Sequence, residues 1–587
     1  MKRKTGFWIA FTLILLVMLA LLELSKNTLM GFLLAALAAA LFALLHGAAE
    51  GKGKRALCWL GWLALFAGIL FITRPPVRPV PALEGKNLPR SPVVVTQKGK
   101  VQGLISADGA VEVFAGIPYA KPPVGELRWR EPQDPRSWPG TLVCDHFAPQ
   151  SMQPTDSAIY SSLARIIGYH DYEIRFDDNY MTPVSEDSLY VNVWKPAGEV
   201  SGLPVYVFIH GGSLQTGQPW YADYSGMGLA REGVVVVNMG YRLGVFGYLA
   251  DEELAAESPN RTTGNYGLLD QIKALEWVQD NIAAFGGDPG NVTVGGESAG
   301  SAAVSALCTS PLAKGLFRRA VMESSTVASP EPPHSFRTLD AALESGRELK
   351  TRCGVSSIAE LRALPAEKLV GEAETQHHMT IDGYALTETP YASYRRGVFN
   401  GEAILHGYNS EESAPFVMFS QASMKDYEQR VRRYFKEYAD EVLAIYPAAT
   451  DAEAKTYWAE VYGAIFFDYP HYCLNRLAAE NGIPVWEYYF SKQNGRLGPW
   501  HSGEEVYCYG NIPEGSKLYD ARDRELSAQM LAFWANFAAT GDPNGAGLPG
   551  WEQNTGSSRL MEFGAETKMI DESEHALFAV LDKMQGF

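Results

Sequence analysis

Three apolar runs at the start of the chain constrain its fold more than any other feature. The runs are Phe7–Leu22, Leu29–Leu45 and Ala56–Ile72, each of 16 or 17 residues without a charged side chain. Flanking residues extend each run towards the ~20 that a helix needs to cross a bilayer core. A signal peptide followed by two buried helices is the alternative, but no small-x-small cleavage site follows the first run before Glu23 and Lys26. We therefore expect three transmembrane helices, with one or two crossings as the alternative.

Charge divides the chain into two unlike parts. Residues 1–80 contain nine Lys and Arg against two Glu, a balance of +7, whereas the whole chain carries −17, so the remainder carries −24. This acidic remainder argues against nucleic-acid binding, because phosphate contacts need clustered Lys and Arg. Prolines are dense from Arg74 to Pro92, and such a segment is typically an extended, semi-rigid spacer. We expect a membrane anchor at 1–72, a linker at 73–92 and a folded domain at 93–587.

Short β-branched runs alternate with helical periodicity in this domain. In Leu268–Ile282, apolar residues recur every three or four positions, which predicts a helix. Strands are predicted at five runs bounded by glycine or proline: Val205–Ile209, Val234–Asn238, Val292–Val294, Ala403–His406 and Pro484–Phe490. This alternation indicates an α/β domain with a mostly parallel sheet that is buried on both faces. In such sheets ligands bind at the carboxyl ends of the strands, so residues that follow a strand are the candidates for chemistry.

A glycine-flanked serine follows one of these strands. Gly296-Glu-Ser298-Ala-Gly300 stands between Val292–Val294 and the helix-like Ala302–Leu307. A nucleophile elbow has this order, because glycines relieve crowding where the serine projects from a sharp strand-to-helix turn. The pattern alone also suits a glycine-rich turn with a capping serine. The strand before it and the helix after it favour the nucleophile.

A second glycine-rich loop, His210-Gly211-Gly212, follows Val205–Ile209. Glycines leave backbone N–H groups open to a developing oxyanion. With the N–H of Ala299, these glycines would form a three-donor oxyanion hole. As an isolated tripeptide the loop is equally typical of any tight turn, but its place after a strand favours the oxyanion hole.

A serine nucleophile needs a base and a group that orients the base. Among eleven histidines, His501 stands out because it follows the strand Pro484–Phe490 on a glycine-rich loop. Glu411 and Glu412 both follow the strand Ala403–His406, and either is a candidate acid. The order Ser, Glu, His is that of the α/β-hydrolases. No carboxylates are spaced around the adjacent pair at 377 and 378, so neither a metal nor a cofactor is expected.

Longer segments of the domain have a specific residue order as well. They are Phe114-Ala-Gly-Ile-Pro-Tyr-Ala, Pro123-Val-Gly-Glu-Leu-Arg-Trp, Glu186-Asp-Ser-Leu-Tyr-Val-Asn-Val-Trp, Tyr241-Arg-Leu-Gly, Asn265-Tyr-Gly-Leu-Leu-Asp-Gln, Phe285-Gly-Gly-Asp-Pro and Phe537-Ala-Ala-Thr-Gly-Asp-Pro-Asn. With the serine motif, they make residues 93 to 580 resemble the type-B carboxylesterases. This family includes bacterial para-nitrobenzyl esterases, animal carboxylesterases and cholinesterases.

The resemblance implies an α/β-hydrolase fold with a mostly parallel central sheet, preceded here by the three predicted transmembrane helices. The family pattern Asp-Glu-Gly-x-x-Phe matches the segment from Glu411 to Phe416 and selects Glu412 as the acid. The pattern around the base matches His501-Ser-Gly-Glu504. The family's oxyanion donors correspond to Gly211, Gly212 and Ala299. The implied function is a membrane-anchored serine hydrolase of small-molecule carboxylic esters that needs no cofactor, with Glu297 tuning the field at the base or serving as a structural carboxylate.

The chain departs from the family pattern at three places. Ser151 and Ser188 stand where many members have a disulfide-bonded cysteine pair. Ser502 replaces the usual glycine after the base. The segment Pro154–Ser185 contains no tryptophan, so the choline-binding cage of cholinesterases is not expected.

Two other functions are compatible with parts of the sequence. The first is an adhesion module, as in cholinesterase-like ectodomains that lack catalytic residues. In this chain the candidate serine, glutamate and histidine are all present. The second is a transporter or sensor, which needs polar groups inside the membrane, whereas the apolar runs hold only Thr12 and Cys58. The distribution of Lys and Arg around the helices predicts that the catalytic domain lies outside the cytoplasm.

Overall fold

A computed structural model describes residues 2–25, 27–154, 181–332, 336–373, 378–418, 420, 423–493, 498–556, 559–571 and 576–587. Its α-helices, α1–α20, are Lys2–Leu24, Leu29–Ala48, Lys52–Ile72, Met227–Arg231, Gly244–Tyr248, Glu252–Glu257, Tyr266–Asn281, Ala299–Leu307, Leu339–Cys353, Ile358–Arg362, Ala366–Glu372, Pro390–Arg395, Ala414–Val417, Met424–Phe435, Ala439–Ile445, Asp451–Gly463, Tyr469–Glu480, Glu505–Cys508, Ala521–Thr540 and Ala576–Gln585. Its strands, β1–β18, are Val94–Val95, Lys100–Gln102, Leu104–Ile105, Val111–Pro118, Thr141–Val143, Gln150–Ser151, Val184–Ser185, Tyr190–Pro196, Leu203–Ile209, Val235–Met239, Gly287–Glu297, Arg319–Glu323, Phe336–Thr338, Met379–Ile381, Ala403–Asn409, Val485–Phe490, Arg559–Phe563 and Thr567–Asp571.

The chain divides into two compact units. Among the described residues, the first contains the chain up to Val80 together with residues 181–183, and the second contains Pro81–Pro154 and Val184–Phe587. The predicted anchor, linker and catalytic domain, at 1–72, 73–92 and 93–587, stay a prediction. In the second unit, the N–H of Ala82 donates to the carbonyl of Asp145 (2.9 Å), and that of Ile105 donates to the carbonyl of Pro89 (2.8 Å). Residues 81–92 therefore already pack on this unit.

The three apolar runs form helices α1–α3 of the first unit. Each has the length and composition to cross a membrane, over Thr5–Glu23, Leu29–Ala48 and Lys52–Ile72. Small side chains on α2, among them Ala35 and Ala39, are buried in the bundle, and such residues let helix backbones approach closely in lipid. The outward side chains are leucines and other large apolar residues, which suits contact with acyl chains.

A polar contact fastens one end of this helical bundle. The side chain of Asn27 donates to the carbonyl of Leu70 (2.9 Å) and to the hydroxyl of Thr73 (2.8 Å). The N–H of Thr28 donates to the carbonyl of Thr73 (3.1 Å). The turn between α1 and α2 and the end of α3 therefore lie at the same end of the bundle.

An eleven-stranded sheet forms the centre of the second unit. Its order is β18-β17-β16-β15-β12-β11-β9-β10-β8-β4-β3. The strands from β17 through β10 are parallel, and antiparallel strands extend both edges. The prediction of a mostly parallel sheet is confirmed, as are the five predicted strands and the helix at 268–282, with shifted ends. Strand β11 is longer than predicted because Gly287 also pairs with Leu203, ahead of an irregular segment without β-branched residues that ends before Val292.

The carboxyl ends of four parallel strands bring the candidate residues to one edge of the sheet. His210 follows β9, Ser298 follows β11, Glu412 follows β15 by three residues, and His501 stands on the loop after β16. Parallel strands present their carboxyl ends at a common edge. The sheet thus brings Ser298 and His501, which are 203 positions apart in sequence, into one site.

Candidate active site

Ser298 occupies a strained turn between strand β11 and helix α8. Its backbone angles are φ 54° and ψ −124°, a conformation that costs a side chain-bearing residue about 1–3 kcal/mol. The turn is so tight that a Cβ at Gly300 would lie 1.9 Å from the carbonyl oxygen of Ile209. A Cβ at Gly296 would lie 2.6 Å from the carbonyl carbon of Gly300. Both glycines of the motif are therefore required by packing, and the elbow geometry exposes the serine side chain to its partners.

His501 contacts the serine directly. Its Nε2 lies 2.8 Å from Oγ of Ser298. The imidazole is buried between the rings of Phe416 and Phe467, whose centroids lie 5.1 and 4.9 Å from its own. These rings fix the orientation of His501, and no sequence pattern had indicated Phe467.

Glu412, and not Glu411, reaches the histidine. Oε2 of Glu412 lies 2.5 Å from Nδ1 of His501, and its Oε1 accepts the N–H of Asn409 at 2.8 Å. Glu411 instead accepts hydrogen bonds from the indole of Trp500 (3.2 Å) and the amide of Gln493 (2.9 Å). The two neighbouring glutamates thus contact different partners, and of the two only Glu412 is linked through His501 to Ser298.

The loop after β9 lies against the serine. A Cβ at Gly211 would lie 2.9 Å from Cβ of Ser298. Gly212, Ser213 and Leu214 all have positive φ, at 102°, 55° and 60°, and successive N–H groups in such turns form anion-binding concavities. Within the described part of the chain, the N–H groups of Gly211, Gly212, Ser213 and Ala299 donate to no protein acceptor. Ser213 was not among the predicted oxyanion donors, because a serine in a sequence does not indicate a left-handed backbone.

Comparisons with known proteins identify the family of this chain. The family model described as the carboxylesterase family matches residues 90–579. The chain belongs to the carboxylesterase family. A fumonisin B1 esterase of Sphingopyxis macrogoltabida is 34% identical over 80% of this chain and 86% of its own length. Carboxylesterase 1C of Rattus norvegicus is 33% identical over 81% of this chain and 90% of its own length.

A solved carboxylesterase structure confirms the fold. Carboxylesterase EST55 of Geobacillus stearothermophilus superposes with a TM-score of 0.71 and is 30% identical. The match covers 83% of this chain and 99% of that one. The predicted α/β-hydrolase fold and the carboxylesterase class are thereby confirmed.

Buried carboxylates dominate the electrostatics of this carboxylesterase around His501. Oε1 of Glu297 lies 3.3 Å from Nε2 of His501, on the same side as the serine. Burial lowers the pKa of His501, but Glu297 and Glu412 together raise it more, to about 9. The histidine is therefore held towards its protonated form, which favours the imidazolium that ester hydrolysis generates.

A second layer of carboxylates lies behind the first. Burial, followed by the charges of Glu412 and Glu297, raises the pKa of Glu504 to about 7. Glu504 accepts hydrogen bonds from the hydroxyls of Ser324 (2.7 Å) and Tyr488 (3.1 Å). Burial, followed by the charge of Glu504, raises the pKa of Glu323 to about 8. Glu504 is part of the sequence motif that begins at His501. Glu323 is the last residue of β12, a strand that was not predicted from the sequence.

Three other described histidines, His210, His406 and His471, are buried in structural environments. His210 is buried, its Nδ1 lies 2.9 Å from the carbonyl of Gly211, and burial lowers its pKa to about 4. His406 and His471 pair through their Nδ1 atoms at 2.7 Å in the interior. His377 of the adjacent pair lies outside the described residues, as do 155–180 of the tryptophan-free segment. No cluster of three or more metal-ligating side chains occurs among the residues that the structure describes.

Proposed function

We propose that this carboxylesterase hydrolyses small-molecule carboxylic esters through an acyl-enzyme intermediate on Ser298. One observation carries the proposal: the continuous line of contacts from Oε2 of Glu412, through both nitrogens of His501, to Oγ of Ser298, at 2.5 and 2.8 Å. A nucleophile, a base and an orienting acid within hydrogen-bond distance of one another are what acyl transfer to a serine needs.

In the acylation step, Oγ of Ser298 attacks the ester carbonyl carbon while Nε2 of His501 takes its proton. Glu412 holds the imidazole through Nδ1 and stabilises the imidazolium. The N–H groups of Gly211, Gly212 and Ala299, joined by that of Ser213, donate to the oxyanion of the tetrahedral intermediate. Removal of one such donor typically costs about 2.7–4 kcal/mol of transition-state stabilisation.

Collapse of this intermediate breaks the bond to the alcohol, and His501 gives its proton to the leaving oxygen. Water then enters the vacated position, and His501 takes a proton from it as it attacks the acyl carbon. The second tetrahedral intermediate releases the carboxylic acid, and the proton returns to Oγ of Ser298. Each proton transfer in the cycle thus passes through His501.

A non-catalytic adhesion ectodomain is the alternative function. Such a module has no need of a strained serine or of a buried acid–base pair. The positive φ of Ser298 and the 2% exposure of Glu412 favour catalysis, because strain and buried charge persist where they serve the mechanism.

We further propose that helices α1–α3 anchor the enzyme in a membrane, with residues 1–72 as the anchor and 93–587 as the catalytic domain. The support is the length and composition of the three helices. The proposed orientation leaves the catalytic domain outside the cytoplasm, attached through the proline-rich segment.

The test of the catalytic proposal is Ser298→Ala in the full chain, assayed on p-nitrophenyl acetate. We expect a loss in kcat on the order of 10⁶ with an unchanged melting temperature, and stoichiometric organophosphate labelling of Ser298 in the unaltered enzyme. Ser201→Ala, an exposed serine before β9, is the matched control and keeps full activity. Retained hydrolysis in the Ser298 variant would overturn the assignment.

A further inference from the structure

Ser502, directly after the base, has a backbone conformation that glycine adopts without strain. Its φ is 66°, in the left-handed region that residues with a side chain seldom adopt. The left-handed conformation explains why glycine is usual at this position of the family pattern. A serine that persists there needs a compensating contact, and its hydroxyl makes one: it donates to Oε1 of Glu297 at 2.6 Å.

The same carboxylate oxygen competes for the catalytic nitrogen. Oε1 of Glu297 lies 3.3 Å from Nε2 of His501, and Oγ of Ser298 lies 2.8 Å from that nitrogen. A protonated Nε2 therefore has two acceptors within reach, Oε1 of Glu297 and Oγ of Ser298. Only Oγ of Ser298 is a reacting atom. The carboxylate has little freedom to withdraw, because its Oε2 packs against the backbone of Gly211, where a Cβ would lie 2.7 Å away.

We propose that Ser502 is a positioning residue whose hydroxyl occupies Oε1 of Glu297 and so keeps Nε2 of His501 available to Ser298. The inference rests on the proposed catalytic role of these residues. The donated hydrogen bond draws electron density from Oε1 of Glu297 and so makes this oxygen a weaker acceptor for the imidazolium. The partial positive charge on the hydroxyl hydrogen of Ser502 also offsets part of the Glu297 charge that acts on His501.

The charges that act most strongly on His501 all have the same sign. His501 faces carboxylates from three elements: Glu297 at the end of β11, Glu412 after β15 and Glu504 beside α18. The charge of Glu297 also acts on Glu323 and Glu505, two further buried carboxylates. A neutral donor on Glu297 is therefore the means by which this site moderates the carboxylate nearest to Nε2.

Removal of the Ser502 hydroxyl should shift the pH dependence of activity in one direction. Without it, Oε1 of Glu297 accepts from a protonated Nε2, which stabilises the imidazolium and gives nothing to the neutral imidazole. The histidine must lose its proton to act as a base, so a higher pH is needed for the same activity. A shift of one pH unit in the acid limb corresponds to about a tenfold lower kcat/KM on that limb.

The experiment uses Ser502→Ala and Ser502→Gly in the full chain, with kcat/KM on p-nitrophenyl acetate measured from pH 5 to 10. Both variants lack the hydroxyl, but the glycine variant also relieves the backbone strain. We expect the acid limb to move to higher pH by about one unit in both, with a higher melting temperature for glycine than for alanine. In a Glu297→Gln background, Ser502→Ala should leave the limb where Glu297→Gln alone puts it.

A limb that stays in place or moves to lower pH in both Ser502 variants would overturn the inference. Movement of the acid limb to lower pH would mean that the proton is taken up by Glu297 instead of His501. An equal loss of activity at all pH values would assign Ser502 a structural role only. These outcomes leave the catalytic proposal intact as long as Ser298→Ala abolishes hydrolysis, so the two failures are distinguishable. If the alanine variant does not fold, the glycine variant alone decides.

Discussion

The side-chain oxygens of Ser151 and Ser188 lie 2.9 Å apart in the buried interior. The hydroxyl of Ser151 also donates to the carbonyl of Tyr241 at 2.6 Å. In the family pattern that the sequence resembles, these two positions are implied to be a cysteine pair. A hydrogen-bonded serine pair thus takes the place of a covalent bridge, and the two segments remain in contact without it.

The double substitution Ser151→Cys with Ser188→Cys should form a disulfide under oxidising conditions. The two positions are separated by 37 residues in sequence, and closing a loop of this length stabilises a protein by about 4 kcal/mol in the chain-entropy model. We expect a higher melting temperature that falls again on reduction. Each single variant is the control and should show no response to oxidation. A double variant whose thiols stay reduced would mean that the backbones are set too far apart.

The unaltered enzyme should be insensitive to reductant. Cys58, Cys144, Cys308, Cys353, Cys473 and Cys508 are all free thiols. Stability therefore comes from core burial, which a unit of this size supplies. Dithiothreitol should leave the melting temperature unchanged, as measured by differential scanning fluorimetry. A drop of many degrees would reveal a structural disulfide.

Glu412→Gln and Glu411→Gln form a matched pair of adjacent, isosteric changes. The first leaves His501 Nδ1 facing an amide, and by analogy with serine proteases we expect kcat to fall about 10⁴-fold. The second removes a charge that only contacts Trp500 and Gln493, and activity should stay within a few-fold. Steady-state kinetics on p-nitrophenyl acetate compares them. A reversed order of the two effects would place the acid at Glu411.

The activity should rise with pH above the ordinary histidine pKa of 6.5. Burial lowers the pKa of His501, but the carboxylates of Glu297 and Glu412 raise it to about 9. Because the base acts in its neutral form, kcat/KM gains activity as pH increases through this raised value. Glu297→Gln removes the first of the raising charges and should move the acid limb to lower pH. A limb near 6.5 in both enzymes would show that Glu297 does not act on the base.

Much of this architecture follows from patterns that are local in sequence. The apolar runs, the β-branched strands and the helix at 268–282 each specify one element, and the serine motif specifies its own turn through two crowded glycines. Strand β12, Arg319–Glu323, escaped prediction because its ends are charged. Both charges are buried in the fold, where Arg319 and Glu323 find partners from distant segments.

The finer parts of the site depend on long-range contacts. Glu411 and Glu412 are equivalent by position after β15, and only the approach of Trp500 and His501 separates them. The left-handed backbone of Ser213 and of Ser502 has no signature in a residue type that seldom adopts it. The contact between Ser502 and Glu297 joins residues 205 positions apart, so no local pattern can reveal it.

The proposed orientation of the anchor rests on the cations at its two ends. Lys2, Arg3 and Lys4 lie in the first turn of α1, and Lys52, Lys54 and Arg55 lie in the first turn of α3. The opposite end, where Asn27 meets Thr73, has Lys26, which lies outside the described residues, and Arg74 and Arg78. Six cations against three favour the first end in the cytoplasm. A large folded domain translocates largely regardless of its own charge, so the acidic body does not alter this balance.

Protease added to intact cells should therefore degrade the catalytic domain while a cytoplasmic marker survives. Three crossings that start in the cytoplasm deliver Thr73, and the domain that follows it, to the outer side. A variant with Lys52, Lys54 and Arg55 all changed to Gln provides the control, because it leaves three cations on each side and should weaken the preference for this orientation. Complete protection of the domain in intact cells, with cleavage only after lysis, would show that the cations do not set the orientation and would place the ester-hydrolysing site in the cytoplasm.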